Sequence, residues 1–355
     1  MRKRIALVMA GGTGGHIFPG LALADLLREK GWQVHWMGAP APSMESQLVP
    51  AQGFAFERVR FGGVRGKAVL TLVWLPMGLL QAFWQSLKII RRIKPDVLVG
   101  FGGYITFPGA MMGVLCGKPL VLHEQNAVAG TANKILAQLA DRVLSNFPEV
   151  LPKTHWVGNP LRQAFTAFPP PSARFAQRSG PLRIVVVGGS LGAQILNQVV
   201  PQALALLPSH QRPEVVHQGG AKHLEALKTN YANAQVEASL VAFIDDTASA
   251  FAQADLVICR AGASTVSELA AIGVAALMVP FPHAVDDHQT ANAQFLSSQN
   301  AAWLMPQTDL TAMALAQFIA NTDRDKLEQV AIKAYALRKT HAAQDMAVAC
   351  EELTA

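Results

Sequence analysis

The sequence predicts an α/β protein of two similar domains, each built on a parallel sheet, and three observations carry that prediction. The chain has 355 residues, more than one hydrophobic core usually organises, so two domains of roughly 150–180 residues are expected. Ile5 to Met9 is an apolar run of the kind buried on both faces of a parallel sheet. It ends in Gly11-Gly12-Thr13-Gly14-Gly15 and leads to a helical pattern from Pro19 to Arg28. RIVVVGGSLGAQILNQVV, from Arg183, repeats that plan half a chain later. PDVLVGFGGYITFPGAMMGVLCGKPLVLHEQN (Pro95 to Asn126) is likewise matched by ADLVICRAGASTVSELAAIGVAALMVPFPH (Ala254 to His283): strand, glycine turn, helix, strand, polar loop. Between the halves, residues 168–182 (FPPPSARFAQRSGPL) have the composition of a linker or surface loop.

Composition narrows the function classes. Apolar residues make up 51% and charged ones 15%, against about 25% charged in ordinary globular chains, so a well-buried fold is expected and disorder is not. The 30 Lys+Arg against 24 Asp+Glu give +6, a modest excess that favours anionic partners without choosing among substrates, membranes and nucleic acid. Cys116, Cys259 and Cys350 are too few and scattered for a disulfide framework or zinc site; three buried small hydrophobes in a reducing compartment are expected. Met1-Arg2-Lys3-Arg4 before IALVMA has the start of a signal peptide, but its six apolar residues run straight into glycines, and a first strand fits better. The other long apolar run, Ala68 to Leu80, has 13 residues, short of the about 20 a spanning helix needs. No transmembrane helix is expected.

The glycine turns fall beyond the carboxyl ends of the strands, where parallel sheets bind ligands. Glycine admits close approach of a ligand, and the helix N-terminus that follows offers N–H groups and partial positive charge, which together suit a phosphate. GGTGGH lacks the Gly-Lys-Ser/Thr ending of a nucleoside-triphosphate loop and the spacing of a dinucleotide fingerprint. Neither WQVHWMGA nor EVVHQGG ends in the acid that would hold an NAD ribose. A dehydrogenase is therefore disfavoured. An acid does follow the turn Ala261-Gly262-Ala263-Ser264: Glu268, where a carboxylate can take both ribose hydroxyls of a nucleotide whose phosphates rest on the helix start. Its bland alternative is a glutamate complementing the helix dipole.

GGTGGHIFPGLALA, FGGY, HEQNAVAGTANK, VGNPLR, GGSLGAQILN and CRAGASTVSELAAIG, in this order, resemble the MurG-type N-acetylglucosaminyltransferases of peptidoglycan synthesis over nearly the whole chain. The resemblance implies a GT-B fold, two Rossmann-like domains facing a deep cleft. Residues 1–162 would form the acceptor and membrane-association domain, with a last helix at about 341–355 packing back on it, and 163–340 the donor domain. It implies inverting transfer of GlcNAc from UDP-GlcNAc to the 4-hydroxyl of the muramoyl sugar of undecaprenyl-pyrophosphoryl-MurNAc-pentapeptide (lipid I), giving lipid II, on the cytoplasmic face of the inner membrane. Partners among cell-wall synthesis or division proteins are compatible with it, and nucleic acid is not expected.

Carried over by motif, Ser190 contacts the donor phosphates and Ile244 reads uracil through its backbone, with Phe243 as an apolar wall. Ala263, Ser264, Thr265, Val266, Ser267 and Glu268 form the second phosphate loop, with Glu268 on the ribose. Gln289 contacts the sugar, and Asn126, Arg162 and the segment Thr13, Gly14, Gly15 complete the donor site. Family members often show two adjacent glutamines at the sugar position, where this chain has His288-Gln289. Gly11 to Gly15, with Gly102 and Gly103, suits the lipid pyrophosphate, and Tyr104, Asn133, Asn197 and Arg260 are further acceptor or phosphate contacts.

His16 stands at the helix start. That position disfavours imidazolium and suits the general base an acceptor hydroxyl needs; a helix cap is its bland alternative. His123-Glu124 is the rival acid–base pair. Asp323-Arg324-Asp325 reads as a helix cap, so no metal site is expected, and leaving-group charge would fall to helix N-termini without a cofactor. Phe61 to Lys94 carries Arg65, Lys67, Lys88, Arg91, Arg92 and Lys94, no acid, and Trp74, Leu75, Leu79, Phe83 and Trp84, as expected of a surface for anionic lipid. Two other classes share parts of this pattern: a UDP-GlcNAc 2-epimerase, and a membrane-associated nucleotide-binding module without catalysis.

Overall fold

Five apolar residues in a row place β1 (Ile5–Met9) at the centre of a sheet covered on both faces. Alternate side chains serve different layers. Ala6, Val8 and Ala10 pack with Ile17, Leu21 and Leu23, whereas Leu7 and Met9 pack with Ile90, Leu98, Ile105 and Leu122. The computed structural model describes residues 2–62, 75–189 and 192–355, and these divide into two units, Met1–Arg162 with Thr340–Ala355, and Gln163–Lys339.

In the first unit, β1 is followed by α1 (Gly14–Glu29), β2 (Gln33–Gly38), α2 (Met44–Ala51), β3 (Ala55–Arg58), α3 (Leu75–Ile93), β4 (Val97–Gly100), α4 (Thr106–Leu115), β5 (Leu120–Glu124), α5 (Thr131–Leu136), β6 (Arg142–Ser145) and β7 (His155–Trp156). The strands are parallel in the order β3-β2-β1-β4-β5-β6-β7. The order reverses between β1 and β4, and the turns after these two strands are the glycine turns Gly11–Gly15 and Gly102–Gly103. α1 begins five residues before the helical pattern seen in the sequence, because the Thr13 carbonyl already accepts the N–H groups of His16 and Ile17 at 3.1 and 3.2 Å.

The second unit comprises α6 (Pro171–Phe175), β8 (Arg183–Val187), α7 (Gln194–Ala205), β9 (Glu214–Gln218), α8 (Leu224–Ala234), β10 (Ser239–Val241), α9 (Thr247–Gln253), β11 (Leu256–Cys259), α10 (Ala263–Ile272), β12 (Ala275–Met278), α11 (His288–Ser297), β13 (Trp303–Leu304), α12 (Ala312–Ala320) and α13 (Arg324–Ala336). Its order, β10-β9-β8-β11-β12-β13, is again parallel and again reverses between the two strands that end in glycine turns. The chain then returns to the first unit as α14 (Ala342–Glu352), whose Met346, Ala347, Ala349 and Cys350 enter the core beside Ile17 and Leu21 of α1. A Lys30–Glu351 ion pair at 2.9 Å closes its rim.

Residues 168–182 are not a free linker. Arg174 donates to the carbonyls of Ala252 and Ile272, both at 2.7 Å. Arg178 pairs with the wholly buried Asp255 at 2.7 Å, so a segment of loop composition is docked on the second unit through orphan helix-end carbonyls. Cys259 and Cys350 are buried as expected, but Cys116 is only half-buried.

Candidate functional site

The turn after β1 is built on contacts as much as on conformational freedom. A Cβ on Gly11 would stand 2.6 Å from the Glu45 carboxylate, and one on Gly103 would stand 2.8 Å from the Gly11 carbonyl, so the two turns of the first unit touch through missing side chains. Glu45 is fully buried and accepts the N–H groups of Gly12 (3.3 Å) and Ala39 (3.2 Å). This revises the expectation for Gly11 and Gly12: Gly11 makes room for a carboxylate, Gly12 adopts a positive φ of 95°, and the Gly12 N–H is committed to that carboxylate and not offered to a phosphate. Sequence reasoning passed over Glu45 because, next to the capping box of Ser43 and Ser46, it looks like an ordinary first-turn acid. The Tyr104 ring covers Gly12; burial, and secondarily the Glu45 charge, raises its hydroxyl pKa.

Thr13, Gly14 and Gly15 begin α1, which has no side-chain cap, so the first-turn N–H groups lack an internal side-chain acceptor. The His16 ring is oriented by a 3.1 Å contact between Nδ1 and Thr13 Oγ1. Arg162, the last residue of the unit's main segment, stacks over Phe18 on the same helix turn, 5.7 Å from the ring centre.

The HEQN segment has a different task from the one expected of it. His123 is fully buried. Its Nε2–H donates to the Gly158 carbonyl at 2.8 Å, and its Nδ1 accepts from Gln125 Nε2 at 3.0 Å. Burial brings its pKa down to about 4, partly opposed by the Gly158 bond. Glu124 accepts from the N–H groups of Asn126 (2.9 Å) and Gly130 (3.2 Å) and from Asn133 Nδ2 (2.8 Å); burial raises its pKa while these bonds act the other way. Glu124 is spent on the loop between β5 and α5 and on its helix, and His123 on Gly158 after β7 and on Gln125, so the two make no contact as an acid–base pair. Asn133 is buried and braces that loop through its Nδ2, and Asn126 is held within it.

In the second unit the glycine turn after β8 and the turn after β11 border one cavity of about 680 Å³, lined by Gly188, Gly189, Gly192, Arg260, Gly262, Thr265, Phe281, Gln289 and Gln307 among others. Ser190 falls outside the described residues. The helices that start here, α7 and α10, have Ala193 and Gly262 at their N-caps and no side-chain cap. Elsewhere in the unit, α9, α12 and α13 are capped by Asp246, Thr311 and Asp323. α6, α8 and α11 likewise have no side-chain cap; helix starts that border a cavity are of the kind that suits an anion. Asp323 caps through Lys326 N at 2.8 Å, as its triplet suggested. No group of three or more His, Cys, Asp or Glu placed to hold a metal occurs among the described residues.

Ala263, Ser264, Thr265, Val266, Ser267 and Glu268 all lie on α10. Ser267 Oγ donates to the Ala263 carbonyl at 3.1 Å, and half-buried Glu268 is near enough to Cys259 to add to the burial that pushes that thiol up to about 12. Gln289 Oε1 accepts from Phe281 N–H at 2.9 Å, and His288 Nδ1 contacts the Val285 carbonyl at 2.7 Å. Arg260 lines this cavity, and it donates to the carbonyls of Val279 (3.0 Å) and Pro280 (2.9 Å) and to Gln307 Oε1 (2.7 Å). Asn197 is not an acceptor contact; it is buried, receiving His217 Nε2–H at 3.1 Å and donating to the Gly219 carbonyl at 3.1 Å. Phe243 is 55% exposed, as an apolar wall requires, but the Ile244 N–H is donated to Gln218 Oε1 at 3.0 Å. Gln218, Asn292, which ties α11 to the Ala261 carbonyl at 3.1 Å, and Gln307 were not singled out by sequence.

α3 buries Ala82, Ser86, Ile89 and Ile90 and leaves Met77, Leu80 and Trp84 exposed. Phe83 is not part of that exposed face, for it packs against Phe107 of α4. Lys88 lies over the Trp84 ring at 3.9 Å, and Arg92 pairs with Glu57. Arg65, Lys67 and Trp74 fall outside the described residues. Among the described residues, no helix is long and apolar enough to cross a membrane.

Two doubly wound parallel sheets, with a cavity at the switch point of the second, have the GT-B architecture of glycosyltransferases. Residues 6–145 match the glycosyltransferase family 28 N-terminal domain, and residues 183–348 its C-terminal domain. The chain is 64% identical over 352 residues, 99% of either chain, to the UDP-N-acetylglucosamine--N-acetylmuramyl-(pentapeptide) pyrophosphoryl-undecaprenol N-acetylglucosamine transferase of Paracidovorax citrulli (strain AAC00-1). It is 60% identical to the protein of the same name from Ralstonia nicotianae (strain ATCC BAA-1114 / GMI1000), covering 98% of this chain and 96% of that one. The crystal structure of Acinetobacter baumannii MurG superposes with a TM-score of 0.85 at 37% identity over 98% of this chain and 99% of that one. The chain belongs to the MurG family of glycosyltransferase family 28.

Proposed function

We propose that the chain transfers N-acetylglucosamine from UDP-GlcNAc to the 4-hydroxyl of the muramoyl sugar of lipid I, with inversion, giving lipid II. The observation that carries this reading, beyond family membership, is the convergence of two uncapped helix N-termini on the cavity of the second unit, with Glu268 further along α10. In this reading the UDP diphosphate rests on the starts of α7 and α10 and Glu268 accepts the ribose hydroxyls. His16, aligned by Thr13, takes the proton from the acceptor hydroxyl. That oxygen forms the new bond to the anomeric carbon as the bond to the UDP oxygen breaks. The electron pair leaves on the diphosphate, where N–H groups of the helix starts hold the charge. The acceptor pyrophosphate then belongs at the first turn of α1 and not at Gly12, whose N–H Glu45 already holds.

The apolar residues Met77, Leu80 and Trp84, beside Lys88 and Arg91 on α3, support peripheral association with an anionic membrane that carries the lipid acceptor. Radiolabelled UDP-GlcNAc with a short-chain lipid I analogue tests the reaction. Label in the lipid product supports it. Epimerised UDP-sugar formed without acceptor, or UDP binding with neither product, would replace it by the epimerase or the binding-module reading.

A further inference from the structure

The end of β9 ties the Gly189 edge of the cavity to the segment after β10. Gln218, its last residue, is 3% exposed. Its amide Nε2 donates to the Gly189 carbonyl at 3.1 Å, in the glycine turn after β8. Its Oε1 accepts the Ile244 N–H at 3.0 Å, in the segment after β10. One side chain thus ties together two loops that no strand ladder joins at that point. The neighbouring residues stiffen the same plate. Gly219 N–H donates to the Val241 carbonyl at 3.0 Å, and the Gly219 carbonyl receives Asn197 Nδ2 at 3.1 Å. A Cβ on Gly192 would stand 2.1 Å from that carbonyl, so the glycine turn is seated directly on β9.

Only a primary amide of this length offers a donor to Gly189 and an acceptor to Ile244 at once. A carboxylate would face a carbonyl, and an alkyl chain would take this acceptor from the part-buried Ile244 N–H, whereas the Gly189 carbonyl would keep the Gly192 N–H at 3.0 Å.

We infer that Gln218 is a positioning residue that holds Gly189, at the edge of the donor cavity, against the segment that carries Ile244, so that a nucleotide entering the cavity meets that edge already in place. This rests on the reading of the second unit's cavity as the donor site. Binding entropy is the physical reason: a loop already fixed loses less freedom when a ligand meets it.

The test is steady-state kinetics of the full-length enzyme with Gln218→Leu and Gln218→Glu. The KM for UDP-GlcNAc should rise by about 10-fold, as expected for unpairing one part-buried N–H, while kcat stays within about threefold and the KM for the lipid acceptor does not move. A purely structural role would lower the active fraction, hence kcat, and leave the donor KM alone; that result overturns the proposal. Hydrogen exchange on the wild-type protein covers the case in which both variants fail to fold. The Ile244 amide should be protected without nucleotide, and exchange at the rate of an open loop overturns the bridge. Failure of the donor-site reading is distinguishable: UDP added to wild type would then slow exchange at neither the Gly192 nor the Thr265 amide, which border the cavity. UDP protection at both sites with an unchanged donor KM in Gln218→Leu would overturn the positioning role alone.

Discussion

The buried Glu45 carboxylate accepts the N–H of Gly12 at 3.3 Å, so a residue of α2 shapes the glycine turn that follows β1. It also holds Ala39 N–H at 3.2 Å, joining the ends of β1 and β2. Glu45→Gln keeps the shape but turns an amide N–H₂ toward one of these donors. The unfolding free energy should fall by about 1–3 kcal/mol, the cost of unpairing a buried group, in urea denaturation. A Gln variant as stable as wild type would show that the carboxylate does not hold the turn.

His16→Ala should lower kcat by about 10²- to 10⁴-fold, the usual contribution of a general base, with UDP affinity unchanged by calorimetry. Thr13→Val, which removes the hydroxyl 3.1 Å from Nδ1, should lower kcat by a smaller factor in the same direction. Near-normal turnover of His16→Ala would move the base elsewhere. The buried His123 is not the substitute, since both of its ring nitrogens are engaged.

Glu268→Ala should weaken UDP binding by tens-fold, in line with about 1.5–3 kcal/mol for a hydrogen bond to a charged group. Unchanged UDP affinity would return Glu268 to the role of a helix-dipole partner.

His217 links stability to pH. Burial brings its pKa down to about 3, whereas in the unfolded chain it is near 6.5. Between these values the unfolded state holds a proton that the folded state does not, so stability rises with pH through that window and is level above it. Unfolding free energy should be lower at pH 5 than at pH 7 by about 1–2 kcal/mol on this account. Comparison with His217→Gln isolates the contribution; an identical pH dependence in the variant would rule it out.

Replacement of Met77, Leu80 and Trp84 by serine should reduce sedimentation with neutral and anionic liposomes alike, because it removes exposed apolar area. Arg91→Glu should reduce only the salt-sensitive part, about 1 kcal/mol per basic residue near an anionic surface. Arg92 is a poorer probe, since it pairs with Glu57. Wild-type sedimentation by both variants would remove α3 from the membrane surface.

The sequence by itself determined the strands, the glycine turns and the two parallel sheets, because these follow from local patterns: apolar runs, turn residues and helix starts within a few positions of one another. It also determined the family, through motifs whose order survives in the chain. What the glycines are for was decided by tertiary structure. Gly11 faces Glu45, and Gly12 donates to it, across 33 residues; Gly192 faces Gly219 because β8 and β9 pair. The same holds for HEQN. As a string, His123-Glu124 is an acid–base pair, but adjacent residues on a strand point to opposite sides, and the folded chain gives His123 to Gly158 and Glu124 to the Gly130–Asn133 turn. Gln218, set between loops 29 residues before it and 26 after it, carried no local signal. A hydrogen bond's partner is chosen by the path of the chain between them, and that path exists only once the sheet has formed.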